Sequence, residues 1–203
     1  MTKTPAMSRF MKLFPLAFTV AVAWALPGTV FAAEKPVLVL RTFAVDMGNP
    51  GPARAGTVEI IIERWSTDEE RARLRDALIE KGSDKLLTTL QDIKPRVGYI
   101  RSAGSLGWDL RYAREEVSPA TGSHRVIIAT DRPMTYWERV TQPRSADYEF
   151  TLAEIRIGAD GKGEGKLVPA AKVKWNQEEQ TIEIENYGTE PVRLNSIKAE
   201  IRP

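Results

Sequence analysis

Residues 96–150 read RVGYIRSAGSLGWDLRYAREEVSPATGSHRVIIATDRPMTYWERVTQPRSADYEF, and the turn signals inside this stretch decide the fold. Two runs, Arg96–Ala103 and Leu106–Glu115, flank Gly104-Ser105, a dipeptide of the kind that closes hairpins. A two-residue loop there predicts Ala103 opposite Leu106, Arg101 opposite Trp108, Tyr99 opposite Leu110 and Val97 opposite Tyr112. Side chains alternate along a strand, so these residues would share one apolar, aromatic face. Arg101 could lie on the Trp108 ring, and Asp109 and Arg111 would occupy the other side. Arg125–Thr130 follows as a strand apolar on both faces, after a loop over Glu116–Ser123 marked by Pro119 and Gly122. Asp131 as a cap and Pro133 in a first turn predict a short helix over Met134–Val140, ended by Pro143.

Upstream, Val37–Val45 reads as a strand, and Asp46–Gly56, rich in Gly and Pro, as a loop. Thr57–Glu63 alternates, with Val58, Ile60 and Ile62 on one side. Ile61 breaks the polar side, so that face is expected to be partly covered. Ser66 with Glu69 fits a capping box. A helix over Thr67–Lys81 would stop at Gly82, and a second, capped by Ser83, would carry Leu86, Leu87, Leu90 and Ile93 and end before Pro95. Leu74, Ala77, Leu78 and this leucine stripe are the pattern of helices packed on a core.

Downstream, Tyr148, Phe150 and Leu152 share one face of a strand and Ala153, Ile155 and Ile157 the other, which predicts a bulge or bend near Leu152-Ala153. Leu167, Pro169, Ala171, Val173 and Trp175 alternate with lysines. A turn at Glu178-Glu179 sets Trp175 opposite Ile182 and Val173 opposite Ile184, with Lys174 opposite Glu183 and Lys172 opposite Glu185 on the other side. After Gly188 and Pro191, Arg193 could face Glu185. The apolar and charged patterns agree on one register. A membrane-spanning barrel needs an apolar outer band, and Lys172, Lys174, Glu183, Glu185 and Arg193 would occupy it, so the sheet is expected to face water. The predicted fold is mainly β: an antiparallel meander of eight or nine strands with a helical hairpin at about 66–94. A coiled barrel is favoured over a two-sheet sandwich.

Lys3, Arg9 and Lys12 precede the apolar run Leu13–Leu26, and small residues follow near Ala32. This is the pattern of a secretory signal peptide over residues 1–32, and the apolar run is short for a membrane span of ~20 residues. Cleavage leaves a single domain over 33–203, exported to the periplasm or beyond the cell, with no stable membrane insertion. The three basic residues of the leader are unopposed, so the formal +2 of the whole chain becomes −1 without them. That balance gives no reason to expect a nucleic-acid partner. The chain has no cysteine, so its stability must come from packing.

Little in the sequence suggests catalysis. His124 is the only histidine, it stands at a loop–strand junction, and no G-x-S-x-G elbow is present. With no cysteine and one histidine, zinc is not expected. Asp160–Glu164 places Lys162 where a calcium ligand belongs and reads as a hairpin turn. The Gly-rich run Gly161–Lys166 lacks P-loop spacing. No cofactor is therefore expected. A polar cluster remains: Asp109, Arg111, Arg114, Asp131, Arg132, Glu138 and Arg144. It reads as a structural ion-pair network, with carboxylate acid–base chemistry as the alternative.

The segments VGYIRSAGSLGWDLRYARE, IIATDRPMTYWE, QPRSADYEFTLAEIRI and IENYGTEPVRL resemble a group of exported bacterial proteins of uncharacterised function. The resemblance spans most of the chain after the leader and implies export, with no activity or cofactor. The favoured function is a non-catalytic binding module for an apolar or amphipathic ligand or a protein partner. A carboxylate–arginine enzyme and a structural envelope component are the alternatives. Tyr99, Arg101, Trp108 and Tyr112 are the candidate ligand-binding residues, since Tyr and Trp combine apolar area with a polar handle. The competing account is that this face is the core beneath the helical hairpin.

Overall fold

A computed structural model describes residues 35–47, 54–134, 148–187 and 190–201, all within one compact unit, Glu34–Pro203. The expected leader, the helix expected after Met134, and Glu138 and Arg144 lie outside the described residues. The chain runs β1 (Leu38–Asp46), β2 (Arg54–Ile62), α1 (Asp68–Gln91), β3 (Gly98–Ser102), β4 (Trp108–Leu110), β5 (Tyr112–Val117), β6 (His124–Thr130), β7 (Phe150–Ile157), β8 (Lys162–Asn176), β9 (Thr181–Asn186) and β10 (Val192–Ile201). Among the described residues the pairings are antiparallel, in the order β4-β3-β2-β1-β10-β8-β7-β6-β5, with β9 pairing to β8 off this path. The two end strands, β4 and β5, are consecutive in the chain. Trp108–Leu110 pairs with β3, the backbone turns at Arg111, and Tyr112–Val117 pairs with β6. The Arg111 N–H donates to the Ala129 carbonyl at 2.9 Å, and the Val97 N–H to the Leu110 carbonyl at 3.0 Å. One kinked segment thus joins both ends of the sheet into a nearly closed barrel, the favoured architecture.

Two apolar cores share this sheet. Leu38, Leu40, Ile60, Ile62, Ile100, Leu110, Val126, Ile128, Ile155, Ile157, Leu194 and Ile197 fill the barrel interior. On the outer face, Leu74, Leu78, Leu90 and Ile93 of the helical region pack on Ala129, Phe150, Ala171 and Val173. This explains β7. Phe150 and Leu152 meet the helices while Ala153, Ile155 and Ile157 point into the barrel. Alternation is unbroken, and the expected change of face is two buried faces of one strand. The irregularity lies opposite, in β8. Phe150 pairs with Ala171 but Leu152 pairs with Val168, so β8 carries one extra residue around Pro169–Ala170. That bulge corrects the expected single face of β8: Leu167 belongs to the barrel and Ala171 and Val173 to the helix side. A second bulge sits at Ser196, whose φ is 53°, and turns both Leu194 and Ile197 inward. Bulges coil a sheet, and coiling is what lets it close.

Several boundaries move. β2 begins at Arg54, so Val45–Ala55 and Ala44–Gly56 are strand pairs and the expected 46–56 loop is shorter. Ile61 is buried, as its position demanded. The helical region is interrupted at Gly82 (φ 74°, ψ −161°), as the glycine stop predicts. Its cap is one residue later than expected: Thr67 accepts from the Glu70 N–H, and Glu70 accepts from the Thr67 N–H. Ser66 is used differently, its hydroxyl accepting the Ala113 N–H at 3.1 Å and its own N–H donating to the Ala113 carbonyl at 2.8 Å. The β8–β9 hairpin has the predicted register throughout, from Lys172↔Glu185 to Trp175↔Ile182. Lys174 reaches diagonally to Glu185 at 3.2 Å. Arg193 does not face Glu185, because β10 continues along the lower half of β8; it pairs across to Lys166 and lies 3.6 Å from Glu190.

The cap has a pH consequence. Arg64 grips Glu70 through two nitrogens at 3.0 and 2.9 Å. That hydrogen bonding, aided by the Thr67 N–H, holds the Glu70 carboxyl below its ordinary value against the opposing cost of burial. A depressed carboxylate contributes stability that is full above its unfolded pKa and lost as pH falls through the folded value. Glu70→Gln is expected to cost roughly 1–2 kcal/mol at pH 7. The gap to wild type should close on acidification below about pH 4. Urea melts at neutral and acid pH check this, and a pH-independent gap contradicts it.

Candidate functional site

The β3–β4 connection decides which residues face the barrel interior. Gly104 and Gly107 both take positive φ, 78° and 86°, and the turn spans 103–107 rather than two residues. Pairing becomes Gly98↔Leu110, Tyr99↔Asp109 and Ile100↔Trp108, one residue off the expected register. A one-residue slip exchanges faces. Ile100 and Trp108 therefore face inward, while Tyr99 and Arg101 lie outside with Asp109. Arg101 stacks on Tyr99, 5.6 Å from the ring centroid, instead of on Trp108, and Arg96 covers the same ring at 4.8 Å. Arg101 also donates to Glu59, part of an outer ladder Arg101–Glu59–Arg41–Glu200 crossing β3, β2, β1 and β10. Tyr112 belongs to the helix-side core, where burial raises its phenol pKa. The four proposed ligand residues are thus not brought together; Trp108 and the edge of Arg101 remain at one site.

That site is the barrel mouth. A cavity of about 140 Å³ opens there between the ends of β1, β2, β3, β4 and β10 and the middle of β8. Its walls include Ala44, Val58, Ile100, Trp108, Leu167 and Leu194, and Asp46, Arg101 and Ser102 supply polar groups. The β8 bulge builds one side. The Pro169 carbonyl accepts the Met134 N–H at 3.0 Å and the Thr151 hydroxyl at 2.8 Å, which brings Met134 against the cavity. Exposed apolar side chains stand at the same end: Leu106 on the β3–β4 turn, fully solvent-exposed, and Met47 just after β1. Sequence reasoning missed the aliphatic lining because it depends on closure between strands far apart in the chain.

The polar cluster assembles in part, at the seam. Arg96 donates to both carboxylate oxygens of Glu63 at 3.1 and 3.0 Å and to Asp109 at 2.9 Å. Arg111 stands 3.6 Å from Asp109 and donates to Asp131 at 3.2 Å. The chain Glu63–Arg96–Asp109–Arg111–Asp131 spans the junction of the two sheet ends. Each charge is matched by a neighbour from another strand or loop, the geometry of a clamp. Arg114 is apart from it, bonded to Asp68 at the helix start at 2.7 Å. Arg132 is exposed and contributes its backbone carbonyl, which accepts from the Thr130 and Thr151 hydroxyls.

At the opposite end, His124 is the first residue of β6 and has a partner the sequence did not reveal. Its Nδ1 lies 2.7 Å from Glu115 Oε1 across the β5–β6 pair, both side chains about four-fifths buried. Among the described residues no three His, Asp or Glu side chains converge as metal ligands, and no helix is long and apolar enough to cross a membrane. Comparisons of the chain with protein-family models, with curated proteins and with solved structures find no match.

Proposed function

We propose that the protein is an exported, non-catalytic binding module that takes the apolar end of an amphipathic ligand into the barrel mouth. The observation that carries this is the apolar cavity beside Trp108, open at one end, with exposed Leu106 and Met47 on the segments next to its lining residues. A packed core tolerates few such spaces. An apolar group entering it leaves water for a mostly apolar lining, which favours binding by about 25 cal/mol per Å² of apolar surface buried. The volume matches one benzene-sized group (~150 Å³) and is below the ~300 Å³ at which pockets enclose a whole drug-sized ligand. A chain terminus or single ring inside, with a polar head near Asp46 and Arg101 at the rim, is the fit. The leader-like N-terminal sequence supports export.

Intrinsic fluorescence titrated with fatty acids and isoprenoid alcohols tests it, with Trp108→Phe identifying the reporting ring. The wild type should show a saturable change that Trp108→Phe loses. Ala44→Leu, which fills the cavity, should weaken binding at least tenfold while raising the melting temperature of the free protein. No saturable change in the wild type, or unaltered affinity in Ala44→Leu, overturns the proposal.

A further inference from the structure

The barrel nearly closes at β4 and β5, but β9 stands off the ring and, among the described residues, pairs only with β8. Ile182 and Ile184 are 52% and 55% exposed. Their partners across the hairpin, Trp175 and Val173, pack into the helix-side core. The apolar layer that begins at the helices therefore ends in two half-exposed isoleucines. On the opposite face Glu183 and Glu185 are exposed as well, Glu183 accepting from Asn176 and Glu185 from Lys174 and Tyr148. We infer that β9 is a docking edge for an extended segment of a partner protein in which apolar residues alternate with lysine or arginine.

The two edges of a strand present the same two side-chain layers, so whatever pairs with one edge is a template for the other. β8 supplies that template. Its Val173 and Trp175 meet Ile184 and Ile182, and its Lys172 and Lys174 stand opposite Glu185 and Glu183. An added strand of the same pattern would cover the isoleucines and bring positive charge to the glutamates, with backbone hydrogen bonds supplying affinity. A second copy of β9 fits poorly. Antiparallel self-pairing that keeps the faces apart and the overlap nearly complete sets Glu183 opposite its own copy or opposite Glu185. Like charges directly opposite are destabilising.

The test uses the full chain labelled with ¹⁵N and a synthetic peptide copying residues 170–177, Ala-Ala-Lys-Val-Lys-Trp-Asn-Gln. Saturable amide shifts are expected over Thr181–Asn186, with amide exchange there slowed at least tenfold. A peptide with both lysines replaced by glutamate should not bind. Ile182→Thr combined with Ile184→Thr, and separately Glu183→Lys, should each weaken binding at least tenfold. These side chains are exposed, so an unchanged helical circular dichroism signal confirms the fold in each variant. Absence of saturable shifts in β9, equal binding of the glutamate peptide, or concentration-dependent self-association through β9 in place of peptide binding overturns the inference.

Discussion

Gly98→Ala is expected to destabilise the protein by about 3 kcal/mol or more, at or beyond the upper end of ordinary overpacking, and Gly98→Val to prevent folding. A Cβ at Gly98 would lie 2.1 Å from the Ile61 carbonyl oxygen and 3.0 Å from the Ile62 Cα. Those atoms belong to the backbone of β2, with which β3 is paired through Ile62↔Gly98. No side-chain rotation relieves the clash; the two strands must part. Separating them also pulls on the seam, since Gly98 pairs on its other side with Leu110 of β4. Gly56→Ala is the control. Nothing lies within 4 Å of its Cβ position, and replacing an unstrained strand glycine should be neutral or stabilising by up to about 1 kcal/mol. Urea unfolding of both variants decides it. A Gly98→Ala midpoint equal to wild type would mean that β2 and β3 do not approach as closely as the barrel requires.

Phe150→Ala is expected to cost about 3–5 kcal/mol, the range for deleting a buried aromatic ring. Phe150 is 1% exposed and joins Leu74, Leu78, Leu90 and Ile93 to the sheet. The loss should be local to the outer core. Hydrogen exchange is expected to accelerate most in α1, while amides beside Ile60, Ile100 and Ile155 keep their protection relative to the variant's lowered global stability. Ile155→Ala removes a side chain from the barrel interior and should accelerate exchange in the strands and α1 together, because the helices have no platform without the sheet. If Phe150→Ala opens strands and helices equally, the two cores form one cooperative unit and the division between them is only geometric.

Part of the candidate site was legible in the sequence. Trp108 stood out as an inward aromatic next to a turn, and it does line the cavity. Local reading places Tyr99, Arg101 and Tyr112 on its face because Gly104-Ser105 is an adequate two-residue turn on its own. The positive φ at Gly107 adds residues to that turn, and the slip sends Tyr99 outward to Arg96 and Arg101. His124 showed no partner because Glu115 is brought to it only by the β5–β6 pairing. In the polar cluster, Asp109, Arg111 and Asp131 were recognisable as charged residues near strand ends. Glu63 and Arg96 completed the clamp from positions that nothing local marked.

Elements whose pattern is short-range and doubly constrained are readable from the residues alone. The β8–β9 register follows from apolar and charged alternations that agree, because a one-residue slip would set lysine against isoleucine and tryptophan against glutamate. The helical break at Gly82 follows from a backbone that only glycine adopts readily. The mainly antiparallel β character follows from period-two runs separated by turn residues. Where the sheet closes, which face of each strand is interior and where the cavity lies emerge only when distant strands pair. Those outcomes depend on bulges at Pro169–Ala170 and Ser196 and on close approach at Gly98. Each bulge shifts one strand by a single residue against its neighbour, and a single residue is enough to exchange inside for outside.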